Sequence, residues 1–259
     1  MDLLKSHKRR SRISEFVYIL LNIGLATTIF LVAAASLSAG LAVAAVLLSK
    51  WRAFAVRPRF WFANIVANMV DIIVGLSVVT LLYAANGAIW LQAVMTLFYI
   101  VWLLVIKPRS KRSFVVLQAG IAVFLGITAL SMISYEWDSS FFVVCMWAIG
   151  FSAARHVLGS YEETLTNQYA LVTGLLYAEL GWVGYHWLFA YTVPGFYGVK
   201  LSQLGLIMTT LSFVVVRGYQ SYHKHKTIMA KDVLMPAFFS AALLIALLFF
   251  YNSLNSGSI

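Results

Sequence analysis

The chain of 259 residues contains one cysteine, Cys145. That excludes an intramolecular disulfide and any metal site built from several cysteines, and reads as a small core thiol. Charge is equally scarce: 11% of residues are Asp, Glu, Lys or Arg, against roughly 25% in a soluble domain. No Asn-x-Ser/Thr acceptor occurs, and no nucleotide-binding loop or zinc-binding helix motif is present. The polar loops are too short for a soluble domain or for the folded basic surface that nucleic-acid binding needs. The abundant component is apolar, with 62% of residues hydrophobic, so the solvent is lipid and neither cofactor nor metal is expected.

Uncharged runs cover 16–49, 60–70, 72–106, 113–135, 139–154, 164–178, 180–199, 201–216 and 233–259. A helix needs about 20 apolar residues to cross a core of about 30 Å, so some runs are one crossing and some two. Cytoplasmic loops carry the Lys/Arg excess. This assigns Lys5 to Arg12, Lys50 to Arg59, Lys107 to Arg112, Arg155, and Arg217 to Lys231 to one face, leaving Lys200 for the other. Between basic clusters the crossings must then be even in number. Phe60 to Leu82 and Trp90 to Ile106 form one pair, turning at Ala84-Ala-Asn-Gly-Ala88. Phe114 to Ala154 forms a second, turning at Tyr135 to Ser140. Thr166 to Val216 forms a third, turning near Pro194-Gly195, and Val233 to Tyr251 crosses once.

Residues 16–49 would be about 51 Å long as one straight helix, too long for one span and short for two. A hairpin near Ser36 to Gly40 keeps the parity, with Lys50 and Arg52 snorkelling from a second helix that continues toward Val56. The expectation is an all-α polytopic bundle of about nine crossings, N-terminus cytoplasmic and C-terminus outside. Residues 1–15 are a basic cytoplasmic segment, 16–251 a single transmembrane domain and 252–259 a short tail. The first apolar stretch, about 17 residues from Phe16, exceeds the 7–15 residues of a signal-peptide core, so it is taken as a span. The setting expected is a plasma membrane of bacterial inner-membrane type, with anionic lipid against the basic face, where each Lys or Arg contributes about 1 kcal/mol. Val56-Arg-Pro-Arg59 echoes Ile106-Lys-Pro-Arg109, and the shared use of Pro to stop a helix accounts for both.

Ionisable residues inside apolar runs mark candidate sites. Asp71 lies midway along Phe60 to Leu82, and Asn64, Asn68, Asp71 and Gly75 are spaced 4, 3 and 4, one stripe down one helix face. That stripe is either a solute-binding face or helix glue, with Gly75 permitting close approach. Glu179 also falls at mid-depth, and His186 follows seven residues later on the same face. Burial raises a carboxyl pKa toward neutrality while His titrates there already, so the pair suits a proton or cation relay. The alternative is a neutral Glu179 hydrogen-bonded to a neighbouring helix, with His186 in an interfacial belt with Trp182, Tyr185, Trp187 and Tyr191. Gly174, Gly181 and Gly184 lie together on the opposite face, where a neighbour can pack closely.

A third cluster joins Arg155, His156, Glu162 and Glu163, and Arg155 can pair with the two acids across a short turn. Glu162-Glu163 followed by Trp182-Val-Gly-Tyr-His186 resembles the paired-Glu and Phe-x-x-x-His motifs of CAAX-type intramembrane proteases, over less than a tenth of the chain. Asn167 stands where that family has Arg, Trp182 replaces Phe, and no later His sits in an apolar segment. A continuous helix would also part Glu163 from His186 by about 34 Å.

The residues thus favour a small-solute or ion transporter, binding its solute or cation through Asp71 and Glu179, with Asn64 and Asn68 as supporting ligands and His186 beside Glu179. A non-catalytic membrane partner or assembly protein is the alternative. An intramembrane enzyme acting on lipid or peptide, with Glu162, Glu163, His156 or His186 as acid and base, is the third reading.

Overall fold

The computed structural model describes residues 12–51, 54–134, 136–187, 190–192, 200–247 and 249. They form nine α-helices: α1 Arg12–Ala34, α2 Ala39–Leu48, α3 Trp61–Ala84, α4 Ile89–Val101, α5 Arg112–Ile133, α6 Ser139–Gly159, α7 Thr166–Trp187, α8 Gln203–His225 and α9 Ala230–Ala246. A 3₁₀ turn, Pro58–Phe60, leads into α3, and a π-helical segment, Trp102–Ile106, continues α4. Two short antiparallel strands, β1 Ala190–Thr192 and β2 Lys200–Ser202, join α7 to α8 and pair Ala190 with Ser202. The expected turn at Pro194-Gly195, the first basic cluster up to Ser11 and the tail lie outside the described residues.

Among the described residues, five stretches are long and apolar enough to cross a membrane: Ile13–Ala34, Pro58–Ala84, Ile89–Ile106, Arg112–Ile133 and Ser139–Gly159. This is compatible with an integral membrane protein, and it does not support the expected count of nine crossings. The ten residues of α2 rise only about 15 Å, half a bilayer core. The later helices are shorter or more polar. The second helix also does not continue toward Val56, because it ends at Leu48.

Local chemistry accounts for the boundaries. Gly87, at φ +87°, takes the left-handed conformation that closes the α3–α4 turn, where a side chain would strain the backbone. Asp138 accepts the Ser140 N–H at 2.8 Å and starts α6 as its N-cap. Ser202 does the same for α8, accepting from Gly205 N–H at 3.1 Å. The helix α8 runs past Val216 to His225 and ends where Lys226 adopts φ 59°. The two echoing tetrapeptides do opposite work. Pro58 opens a helix at its first turn, and Pro108 follows the end of one.

In a bilayer the hydrophobic drive between helices is absent, and close packing through small residues would carry more of the association. One core gathers α1, α2, α3 and α4 around Ile29, Val46, Val74, Leu82 and Leu103. A second joins α5, α6, α7 and α8 around Val123, Ile127, Met146 and Met208. Gly126 lets the two cores touch: a Cβ there would lie 2.8 Å from Ile73 and 3.2 Å from Ile149. The glycine face expected on α7 is its packing face. Gly174 lies against Trp147, Gly181 against Met146 and Gly184 against Leu204.

Candidate functional site

Two helix ends converge on Asp71. The half-length α2 stops at Leu48, and two residues later the Lys50 ammonium pairs with Oδ2 of Asp71. Lys107, directly after the π segment, reaches the same Oδ2 at 2.7 Å. The other oxygen, Oδ1, accepts the Trp102 indole N–H at 3.3 Å. Both lysines follow helix C-termini, where the partial negative charge of the backbone favours a cation. Asp71 and Lys50 are each 8% exposed, and the Lys107 side chain is 32% exposed. Lys50 therefore does not snorkel to an interface as expected, because its partner lies inside the bundle.

The π segment is held by specific contacts. Lys107 N–H donates to the Trp102 carbonyl, five residues back, at 2.8 Å. Pro108 has no N–H to offer the Leu103 carbonyl five residues before it, and the Tyr18 hydroxyl of α1 donates to that carbonyl at 3.1 Å. Gln118 of α5 donates to the carbonyls of Ile106 at 2.7 Å and Arg109 at 3.0 Å. Its other amide atom, Oε1, meets His156 Nε2 at 2.7 Å. One turn up α3, Gly75 lets Val46 of α2 approach; a Cβ would lie 2.7 Å from it and 3.3 Å from the Tyr99 hydroxyl. That hydroxyl is buried with no hydrogen-bond partner among the described residues.

Chemically, two ammonium groups share one carboxylate, so with all three ionised the cluster carries one uncompensated positive charge. Removing one partner of a buried pair leaves an unpaired charge and costs several kcal/mol, about 3–5. The arrangement is therefore sensitive to anything that competes for Asp71 or for the lysines.

The other residues singled out by sequence do not join this cluster. Asn68 donates to the Asn64 carbonyl at 2.8 Å, a bond within its own helix. Glu179 is exposed on α7 and makes no hydrogen bond or ion pair with another described residue. His186 is exposed as well, edge-on to Trp182 and Tyr185 at 5.1 and 5.2 Å between ring centroids. Asp71 and Glu179 therefore form no shared pair.

The third cluster also separates. Arg155 donates to Asn167 at 3.1 Å and forms no ion pair with Glu162 or Glu163 among the described residues. Glu163 accepts the Tyr219 hydroxyl of α8. With His156 held by Gln118 and α7 unbroken from Thr166 to Trp187, no acid–base pair of the protease type is assembled. Sequence reasoning missed Lys50 and Lys107 as partners of Asp71, since charge counting treats lysines at the ends of apolar runs as loop markers. The usable signal was that Lys50, first of its basic cluster, stands between the apolar Leu47-Leu48 and Trp51. No protein-family model matches the chain, and no curated protein or solved structure is similar to it.

Proposed function

We propose that the chain is a small-solute or ion transporter whose coupling centre is Asp71 with Lys50 and Lys107. The observation that supports this reading is the buried carboxylate held by two lysines on interrupted helices. Half-helices, π turns and intramembrane charges recur where transporters bind and move solutes. A proton or solute cation taken by Asp71 weakens its hold on both ammonium groups, which then repel each other and drive the ends of α2 and α4 apart. Asn64 and Asn68 line the approach along α3, on the helix face that Asp71 occupies. By the positive-inside rule the basic loops face the cytoplasm, in a bacterial plasma membrane.

The test is electrical. Proteoliposomes on a solid-supported membrane are stepped through H⁺, Na⁺, K⁺, chloride and phosphate, and at least one ion gives a transient current. The variant Lys50→Met/Asp71→Leu, which removes the carboxylate and its buried lysine and leaves Lys107, reduces that current at least tenfold while staying folded. Absence of current for every ion, or equal currents in both proteins, overturns the reading.

Glu179 favours a second reading, a non-catalytic membrane partner. Its carboxylate lies exposed on α7 with Leu175, Leu176 and Leu180 exposed around it, and a carboxylate facing lipid calls for a donor on an adjoining helix. Under that reading a membrane subunit carrying a Lys, Arg or hydroxyl at that depth seats on α7.

A further inference from the structure

The charge count of the cluster points beyond its own residues. Oδ2 of Asp71 takes both lysines, and Oδ1 takes only the Trp102 N–H. Among the described residues no other carboxylate lies within ion-pair distance of either lysine. With all three groups ionised, one ammonium is uncompensated, and away from bulk water an anion is held more strongly than in it. Lys107 is the accessible member, with a third of its side chain exposed, while Lys50 is sealed.

Directly beside Lys50 the surface opens into a groove of about 440 Å³ lined by Leu47, Leu48, Trp51, Phe54 and Ala55. Its walls are apolar and it is open to the outside of the bundle. An apolar groove on the chain segment that carries Lys50, whose carboxylate partner also holds the accessible Lys107, suits an amphiphile with one anionic end.

We propose that this surface is a binding site for an anionic phospholipid. The headgroup phosphate lies on Lys107, supplying the negative charge that Asp71 alone does not, and an acyl chain lies along Leu47, Leu48, Trp51 and Phe54. The site stands on charge and shape, and it holds whether or not the protein transports a solute.

The experiment uses the purified full chain in dodecyl maltoside, titrated separately with phosphatidylglycerol, phosphatidylcholine and inorganic phosphate, with bound adducts read by native mass spectrometry. Phosphatidylglycerol is expected to bind at least tenfold more tightly than phosphatidylcholine. Lys107→Gln abolishes that preference and Lys107→Arg keeps it. Leu48→Gln weakens phosphatidylglycerol at least fivefold. Thermal unfolding of each variant in the same detergent verifies that it is folded, and Lys107 is chosen over Lys50 because its exposure makes its loss tolerable. Equal binding of the two lipids, or a lipid preference unchanged in Lys107→Gln, overturns the proposal. Inorganic phosphate displacing the lipid at equal concentration would also overturn it, by assigning the cation to a free anion and leaving the groove without a role.

Discussion

Lys107 Nζ lies 2.7 Å from Oδ2 of Asp71, the oxygen that Lys50 also holds. A carboxylate in this position is structural and reactive at once: neutralising it alone leaves two cations facing each other. Asp71→Asn is expected to destabilise the protein by about 3–5 kcal/mol, whereas Lys50→Met/Asp71→Leu, which removes the sealed pair, is expected within about 1–2 kcal/mol of the parent. Thermal unfolding of the three proteins in one detergent checks this, and equal losses for single and double variants would show that the pair is not coupled.

Gly75 and Val46 set the approach of α2 to α3. A Cβ at Gly75 meets the stiff, fully buried Val46 at 2.7 Å, so Gly75→Ala is expected to cost about 1–3 kcal/mol by overpacking. At Gly120, inside α5, a Cβ would have open space, with no neighbouring side chain or backbone atom within 4 Å. Gly120→Ala is therefore expected to be neutral or to stabilise by up to about 1 kcal/mol through helix propensity. Denaturation of both variants under identical conditions separates the two cases.

The N-cap of α8 is testable independently of any function. Ser202 is buried, accepts Gly205 N–H and lies 2.9 Å from the Ser131 hydroxyl of α5. Ser202→Ala is expected to lose about 1–2 kcal/mol, with Ser202→Asp recovering the capping bond. Hydrogen exchange at the first turn of α8 reports the loss locally.

Hydrogen bonding from Ser140 holds the exposed Asp138 carboxyl below its ordinary value. A depressed carboxyl contributes stability above its unfolded pKa of about 3.9 and loses it as pH falls through the lower folded value. Protection of the Ser140 amide is thus expected to be constant above about pH 5 and to decline in acid. An amide equally protected at every pH would show that the cap does not depend on ionisation.

Gentle detergent extraction tests the outward carboxylate of α7. If a partner helix satisfies Glu179, a stoichiometric membrane subunit co-purifies with the wild type and is lost with Glu179→Gln. A lone, well-behaved monomer in both cases would remove the partner reading. His186→Phe is expected to shift stability by no more than about 0.5 kcal/mol, as for an ordinary surface position.

Much of the helical layout was legible because apolar length and turn chemistry are local properties. The turns at Ala84 to Ala88 and Tyr135 to Ser140, and the α7 face of Gly174, Gly181 and Gly184, could be read from spacing alone. The half-length of α2 could not, since residues 16–49 are uniformly uncharged and no capping signal marks Leu48 as an end. The Asp71 centre was half legible. A carboxylate in an apolar run announces itself, but its partners stand 21 residues before and 36 after it, and only packing brings them together. Glu179 looked like the equal of Asp71 in sequence because the periodicity of α7 assigns its glycines to one face without saying what covers the other.

The π segment before Lys107 makes this stretch a matter of phase. Its hydrogen bond spans five residues, from Lys107 N–H to the Trp102 carbonyl, in place of the usual four. Deleting one residue between them would restore an α-helical turn and swing every later side chain by about 100°, carrying Lys107 off Asp71 without changing any residue of the cluster. Length, more than composition, is the property of Trp102 to Lys107 that the charge centre depends on, and a one-residue deletion there should be far more damaging than most substitutions.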